Sequence, residues 1–211
     1  MNGPKLWLVR HGETEWSAAR RHTGRTDVPL TAMGEREALA LAPLLARQNF
    51  DLVGSSPRQR ALRTAELAGF EPSIDGDLAE WDYGDLEGLT AEEIRATYPN
   101  WSIWHGPWPG GEQPARVVAR ARRVVERAMA MPAGANALVF AHGHILRVLA
   151  VCWLERPVAD GCILALGTGS ISVLGWEHDQ RPAIEHWNLQ PGFPAGPATA
   201  GTTTTAQHPT S

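Results

Sequence analysis

Lysine is almost absent from this 211-residue chain: Lys5 is the only one, and arginine supplies the remaining basic residues. Internal contacts to an anion must therefore use arginine or histidine, and the planar arginine fork suits two-pronged contacts to phosphate. The formal net charge of −4 also excludes a general basic field that would attract nucleic acid or an anionic membrane. Binding of an anionic substrate would need a local cluster of positive groups.

Cysteine and long apolar runs are also scarce. Cys152 and Cys162 are the only cysteines, too few for a disulfide framework, and their apolar neighbours predict buried free thiols. No stretch reaches the roughly 18 apolar residues that cross a bilayer, and residues 1–9 hold no cleavage-like signal. We therefore expect a cytoplasmic protein without nucleic-acid or membrane partners. The sequence leaves open whether it forms a homodimer.

Short apolar runs alternate with helical patterns along the chain. Strands are predicted at Leu6–Val9, Leu52–Ser55, Ala137–Ala141, Ser170–Trp176 and Ala183–Trp187. This alternation predicts an α/β fold, a three-layer α/β/α sandwich with a mainly parallel central sheet. The domain would span residues 1–190. Residues 191–211, rich in Pro, Gly, Ala and Thr, would form a flexible tail.

Helix signals precede or interrupt several of these strands. Thr31 can cap a helix whose inner face is expected to hold Leu39, Leu41, Leu44 and Leu45. Ser56–Gln59 and Thr90–Glu93 each fit the capping-box pattern, and the first has proline at the first helical position. Further helices are predicted from Pro114 and from Ile145.

Positive side chains follow three of the predicted strands. Arg10 and His11 end the first strand, Arg58 comes shortly after the second, and His142 directly follows the strand ending at Ala141. Ligands of open α/β sheets bind beyond the carboxyl ends of the strands. If these strands are parallel neighbours, the four side chains converge into an anion pocket, to which helix amino termini near Pro57 and Gly143 would add positive charge.

Four segments make this pattern specific. In chain order they are residues 8–14 (LVRHGET), 55–61 (SSPRQRA), 80–84 (EWDYG) and 141–144 (AHGH). From about Leu6 to Trp176 the sequence resembles the histidine phosphatase superfamily, which includes the cofactor-dependent phosphoglycerate mutases. The short chain is most similar to bacterial acid-phosphatase-like members. The resemblance implies a phosphoglycerate mutase-like fold.

The resemblance also implies a mechanism. His11 would attack phosphorus and form a phosphohistidine, and a hydrogen-bond acceptor should orient its other ring nitrogen. Arg10, Arg58 and His142 would hold the phosphoryl oxygens. Glu80 would be the general acid and base. Asp82 is the second candidate for that role, although an extended segment would turn it to the opposite side.

Further substrate contacts are expected from residues near these motifs. Thr23, Gly24 and Gly143 would contact substrate. Ser17 stands where many superfamily members have asparagine, and its hydroxyl could still donate one hydrogen bond to phosphate. No metal or cofactor is expected. A metal hydrolase using His11, His142 and His144 is disfavoured, because arginines in the same pocket would repel a cation. A non-catalytic phosphate-binding protein is disfavoured by the intact set of candidate catalytic residues.

The segment from Trp81 to Glu112 corresponds to the superfamily's substrate lid and bears on the choice between phosphatase and mutase. It contains one arginine, Arg95, with six acidic residues and four tryptophans, Trp81, Trp101, Trp104 and Trp108. Such a lid favours a phosphatase for partly apolar esters over a phosphoglycerate mutase, which stays the alternative. The tryptophans could instead pack the lid onto the core. The interpretation also requires that Arg20, Arg21 and Arg25 do not fold over the site.

Overall fold

A six-stranded sheet runs through the computed structural model, which describes residues 3–178 and 181–191. Its strands are β1 Lys5–Arg10, β2 Leu52–Ser55, β3 Ser73–Ile74, β4 Asn136–Ala141, β5 Ile171–Glu177 and β6 Arg181–Leu189. They follow the order β3-β2-β4-β1-β5-β6, and three of the five neighbouring pairs are parallel. The predicted mainly parallel sheet is confirmed, with β5 and β6 as its antiparallel side.

The described part of the chain contains six α-helices, four of which pack on the two faces of this sheet. The six helices are α1 Glu15–Ala18, α2 Ala32–Leu45, α3 Gln59–Leu67, α4 Ala91–Thr97, α5 Pro114–Met129 and α6 Gly143–Trp153. Successive strand side chains point to opposite faces. Leu8 and Val139 accordingly pack in the core with α5 and α6, whereas Val9 and Phe140 pack with α2 and α3. This confirms the three-layer sandwich.

The helix starts show where nearby residues in the sequence are sufficient to predict the cap of a helix. Thr31 caps α2, and Thr90 closes the predicted capping box of α4. The box predicted at Ser56 is wrong: α3 begins at Gln59, after Arg58 as the cap, with no side-chain cap bond from that residue. Asp27 supplies a cap instead, because its carboxylate accepts the Gln59 N–H at 2.9 Å.

Two burial predictions also need correction. On α2, Leu41 and Leu45 are buried, but Leu39 and Leu44 are exposed, so the buried face is narrower than predicted and is completed by Ala38. Small residues suffice there because α2 packs closely against the neighbouring elements. The two cysteines are free thiols, as expected, but Cys152 is only partly buried and Cys162 is exposed.

The predicted flexible tail lies outside the described residues from position 192 onward and stays a prediction, as does the domain boundary at 190. Among the helices that the structure describes, none is long and apolar enough to cross a membrane.

Candidate active site

The carboxyl ends of β1, β4 and β2 meet at one edge of the sheet. Arg10 pairs with Ala141 across β1 and β4, and Ser55 pairs with Phe140 across β2 and β4. The residues that follow these strands therefore converge, as the sequence predicts. Beyond this edge lies a cavity of about 300 Å³, whose walls include Arg10, His11 and Glu80.

His11 is held with one ring nitrogen free. Its Nδ1 lies 2.7 Å from the Gly12 carbonyl oxygen. A carbonyl can only accept, so Nδ1 carries the proton and Nε2 keeps its lone pair. Burial, followed by the nearby Arg60 and Arg10, lowers the pKa of His11 well below its usual value. The imidazole is therefore neutral at neutral pH, which is the form that can act as a nucleophile.

A close backbone approach fixes the Gly12 carbonyl that orients His11. A Cβ at Gly12 would lie 2.2 Å from the Gly34 carbonyl oxygen, and a Cβ at Gly34 would lie 2.1 Å from the Glu13 carbonyl oxygen. Both positions therefore require glycine. The Gly12 N–H donates to Thr64 Oγ1 at 3.1 Å, which ties the same turn to α3.

His142 is fully buried beside His11, with ring centres 5.1 Å apart. Arg60 Nε donates to His142 Nδ1 at 3.1 Å, so the neutral ring carries its proton on Nε2, which lies 2.7 Å from Ser56 Oγ. Burial and then Arg60 lower the pKa of His142 well below its usual value. Arg60 thus sets the tautomer of His142.

Arg60 also fixes the segment that follows α1. Its guanidinium is fully buried and donates to the carbonyl oxygens of Thr23, Gly24 and Thr26 at 2.9 to 3.2 Å. The sequence interpretation placed Arg58 at the phosphate and gave Arg60 no role. Helical spacing was the signal that could have separated the two arginines, because Arg60 shares one face of α3 with Ala61, Thr64 and Ala65, the face that is buried.

Glu80 is buried against the first turn of α6. Its Oε1 accepts the N–H groups of Trp81 and Ile145 at 2.8 and 2.9 Å, and Oε2 accepts that of His144 at 2.9 Å. Two of these donors belong to the first turn of α6, where backbone N–H groups lack helical partners. Oε2 accepts only one bond from the described residues, which leaves room for a proton on that oxygen.

Six of the predicted site residues line the cavity: Arg10, His11, Ser17, Thr23, Glu80 and Gly143. The hydroxyl of Ser17 is already used, however. Ser17 Oγ accepts from Thr14 N at 2.8 Å and donates to the Thr14 carbonyl at 3.0 Å, which closes the capping box of α1. Donation from Ser17 to phosphate would require this local contact to break.

The other three predicted residues are not among those that line the cavity. His142 lies against the His11 ring in an edge arrangement. Arg58 caps α3, and its Nε is buried without a partner among the described residues. The Gly24 N–H donates to Glu87 Oε1 at 3.1 Å, so this backbone group holds the loop to the lid segment. Their roles at the substrate stay predictions.

Sequence reasoning missed most of the outer cavity wall, which is formed by Arg20, Arg21, His22, Tyr83, His144, Arg147 and Leu166. We call Arg10, His11, Arg60 and His142 the inner group, and Arg20, Arg21, His22, His144 and Arg147 the outer group. Burial is the largest cause that lowers the pKa of His22 and, more strongly, of His144, so both rings are neutral near pH 7.

The lid argument from the sequence is wrong in its premise. Trp81, Trp101 and Trp104 are buried, Trp108 is partly buried, and none of the four lines the cavity in the described part of the chain. Trp81 Nε1 donates to the Glu112 carbonyl at 2.8 Å, so this indole packs the lid onto the core. Arg20 and Arg21 do line the cavity, which removes the preference for apolar leaving groups.

Two of the lid carboxylates, Glu87 and Asp82, bind residues 24–26 and are not part of the cavity wall. Glu87 accepts the backbone N–H groups of Gly24, Arg25 and Thr26, and Asp82 pairs with Arg25 at 2.8 Å. These acids hold residues 24–26 against the lid. Arg25 consequently does not reach the cavity. Within residues 3–178 and 181–191, no group of three or more His, Cys, Asp or Glu residues is arranged to hold a metal ion.

A family model of the histidine phosphatase superfamily (branch 1) matches residues 6–190. The chain belongs to this superfamily. An acid phosphatase of Mycobacterium tuberculosis is 42% identical over 180 residues, which cover 84% of this chain and 89% of the relative. Sedoheptulose 1,7-bisphosphatase of Saccharomyces cerevisiae is 32% identical over 191 residues, covering 75% and 70%.

A solved phosphatase structure agrees with this assignment. The structure of mycobacterial glucosyl-3-phosphoglycerate phosphatase with VO3 matches with a TM-score of 0.78 and 29% sequence identity, covering 89% of this chain and all of that chain. These similarities support a phosphatase of the histidine phosphatase superfamily and favour that activity over a mutase.

Proposed function

We propose that the chain hydrolyses small phosphomonoesters through a phosphohistidine on His11, with Glu80 as general acid and base and without a metal ion. The single observation that carries this proposal is the state of His11. Its Nδ1 is bound to the Gly12 carbonyl, its pKa is lowered by burial and by two arginines, and it lines the cavity beside Arg10. A neutral imidazole with one free nitrogen faces an anion pocket.

The first chemical step transfers the phosphoryl group to the protein. His11 Nε2 forms a bond to phosphorus as the ester P–O bond breaks, and Glu80 Oε2 gives its proton to the leaving oxygen. The Arg10 guanidinium stabilises the charge that spreads over the phosphoryl oxygens. His142, held by Arg60, and Arg58 would complete the positive surroundings of that group.

The second step releases phosphate. Ionised Glu80 takes a proton from water as the water oxygen bonds to phosphorus and the N–P bond breaks. His11 returns to its neutral form with Nδ1 still bound to the Gly12 carbonyl, and Glu80 again carries the proton needed for the next turnover. The low pKa of His11 keeps the nucleophile neutral in mildly acidic solution as well, in line with a relative named acid phosphatase.

Replacement of His11 with alanine tests this mechanism. Turnover of any phosphomonoester should fall by about four orders of magnitude or more, since a covalent route through that side chain is lost. Quenching of wild-type protein in alkaline SDS during turnover of a ³²P-labelled substrate should trap a phosphoenzyme that is stable in alkali and labile in acid, which His11→Ala should lack. The matched control is His186→Ala, which removes an exposed histidine of β6.

Three outcomes would contradict the proposal in different ways. Near-normal turnover by His11→Ala would overturn the nucleophile. Loss of wild-type activity after chelation, restored by one particular metal, would overturn the metal-independent mechanism. Faster transfer of the phosphoryl group to a second substrate hydroxyl than to water would favour the mutase alternative, with His11 keeping its role.

A further inference from the structure

The cavity carries more positive charge than acidic side chains in its wall can balance. Four arginines line it, Arg10, Arg20, Arg21 and Arg147, against a single carboxylate, Glu80. Arg21 has a partner outside the wall, Glu93, at 3.3 Å. Among the described residues, neither Arg20 nor Arg147 has a carboxylate within 4.0 Å, so two guanidinium groups keep an unbalanced charge.

Contacts fix the Arg147 guanidinium in place, although none of them neutralises its charge. Its Nε and Nη2 donate to the carbonyl oxygens of Gly161 and Cys162 at 2.9 and 3.0 Å. The guanidinium carbon lies 4.6 Å from the centre of the Trp104 ring, which is cation–π geometry. Its Nη1 donates to no group in the described part of the chain. Burial lowers the pKa of Arg147, which shows that its charge is partly removed from water.

The position of Arg147 differs from that of the inner arginines. Arg147 follows His144 by about one turn of α6, and Trp104 contacts both: its ring centre lies 5.4 Å from that of His144 and 4.6 Å from the Arg147 guanidinium carbon. Arg147 therefore lies on the His144 side of the cavity. A phosphoryl group on His11 would be held by the inner group, which leaves Arg147 available for another part of the substrate.

Arg20 adds a second free cation at the cavity wall. It is exposed, has a φ of 56°, and forms no side-chain hydrogen bond to the residues that the structure describes. A left-handed backbone costs energy for a residue other than glycine. The next residues, Arg21 and His22, bond to Gly88 and Leu89, so this strained turn is fixed to the segment before α4.

We propose that Arg20 and Arg147 form a binding site for a second anionic group, and that the preferred substrates are phosphomonoesters whose alcohol carries a carboxylate or another phosphate. This inference rests on the proposed function and specifies its substrate class. The neutral rings of His22 and His144, which line the same cavity with their centres 6.1 Å apart, can bind hydroxyl groups but contribute no charge. Recognition of the second anion would therefore depend on the two arginines.

Four three-carbon phosphomonoesters test this site because they differ only in the distal group. They are propyl phosphate, 3-aminopropyl phosphate, 3-(phosphonooxy)propanoate and propane-1,3-diyl bisphosphate. We expect wild-type kcat/KM to be about tenfold higher for the two anionic compounds than for propyl phosphate, and lowest for the amine. The carboxylate and bisphosphate arms show which anion is preferred.

The variant Arg20→Gln should reduce the ratio of kcat/KM for anionic over propyl substrate about threefold to tenfold, mainly through KM. Arg147→Gln should do the same, but it also breaks two carbonyl contacts, so exposed Arg20 is the primary test. The control Arg47→Gln removes the same charge beyond the C-terminus of α2, about 21 Å along that helix from its start near the site. It should leave the ratio unchanged.

Equal kcat/KM for propyl phosphate and both anionic compounds, with a trapped phosphoenzyme, would overturn the second-anion site and leave the proposed function intact. An unchanged ratio in Arg20→Gln would overturn the role of Arg20. Failure to release phosphate from all four compounds, without a trapped phosphoenzyme, would instead overturn the proposed function, and the site with it.

Discussion

The inner and outer groups of the cavity are built in different ways. Arg10, His11 and His142 follow directly from parallel strands, and buried Arg60 binds the neighbouring histidine and loop carbonyls. The outer group comes from the turn after α1 and from partly buried positions of α6. Among the described residues, Arg20 forms no side-chain hydrogen bond, whereas Arg21 and Arg147 are held by contacts outside the cavity and every inner side chain has a contact that fixes its orientation.

This difference separates the two tasks that a phosphatase must perform. The phosphoryl group is the same in every monoester, so the inner group can be fixed by sheet register and buried hydrogen bonds. The leaving group varies among substrates, and loops tolerate change more readily than strands. We therefore expect substitutions in the inner group to reduce turnover of all substrates, and those in the outer group to change selectivity.

Glu80 accepts an N–H from His144 of the outer group and lines the cavity with His11, and its substitution should have the largest effect after that of His11. Glu80→Gln can keep the two backbone contacts of Oε1, but its amide nitrogen cannot accept the His144 N–H and it carries no transferable carboxyl proton. We expect kcat for an alkyl phosphate to fall about 10²- to 10⁴-fold. The loss should be much smaller for an aryl phosphate such as 4-nitrophenyl phosphate, because its leaving oxygen needs little protonation.

The comparison of alkyl with aryl leaving groups is the internal control. The matched control variant is Glu112→Gln, since Glu112 is also a partly buried carboxylate, which pairs with Arg120 at 3.0 Å in the lid. It should reduce both rates equally or leave both unchanged. Equal losses for alkyl and aryl substrates in Glu80→Gln would show that Glu80 does not donate the proton. Asp82 would then be tested in the same way.

The sequence was sufficient for most of the fold and for the strand-borne part of the site. Strands and helices follow from local apolar patterns, and Thr90 forms its capping box with residues three positions away. Ser56 has the same local pattern, yet its hydroxyl contacts His142, 86 residues away in the chain. Local spacing carries no information on such a contact, so the predicted start of α3 was wrong.

The outer group could not be predicted because the sequence gives the number of charges but not their directions. Six carboxylates in the lid suggested an acidic surface over the substrate. Glu87 and Asp82 instead bind residues 24–26 and leave Arg20 and Arg21 at the cavity. Likewise, tryptophans that could have bound an apolar leaving group are buried in the core, which is the usual location of large aromatic side chains.

Arg60 offers a more moderate test of the inner group. Arg60→Lys keeps the charge but cannot reproduce one contact to His142 and three to loop carbonyls. We expect kcat to fall about ten- to a hundredfold for anionic and neutral leaving groups alike, because His142 and the loop lose their fixed positions. Nitrogen-15 NMR should show the Nε2–H tautomer of His142 in wild type and a mixture in the variant.

Arg63→Lys is the control, since Arg63 lies on the same helix and pairs on the surface with Glu35 and Glu66. It should leave both kcat and the tautomer unchanged. A normal tautomer and normal kcat in Arg60→Lys would show that sheet geometry alone positions His142. A change confined to the anionic substrates would place Arg60 functionally in the outer group.

The smallest expected effect is on stability, and it compares the histidines of both groups. The pKa values of His11, His142 and His144 are lowered strongly and that of His22 less, with burial as the first cause in each. Below about pH 6.5 the unfolded chain binds protons that the folded chain does not, so the free energy of unfolding must decrease as pH falls. Each histidine contributes at most about 1.4 kcal/mol per pH unit, down to its folded-state pKa.

Urea unfolding at pH 7.5, 6.5 and 5.5 should show this decrease in the free energy of unfolding. The decrease should be less steep in the outer-group variant His22→Gln and as steep as in wild type in the exposed control His186→Gln. A flat profile between pH 7.5 and 5.5 would show that these rings become protonated as readily in the folded protein as in the unfolded chain.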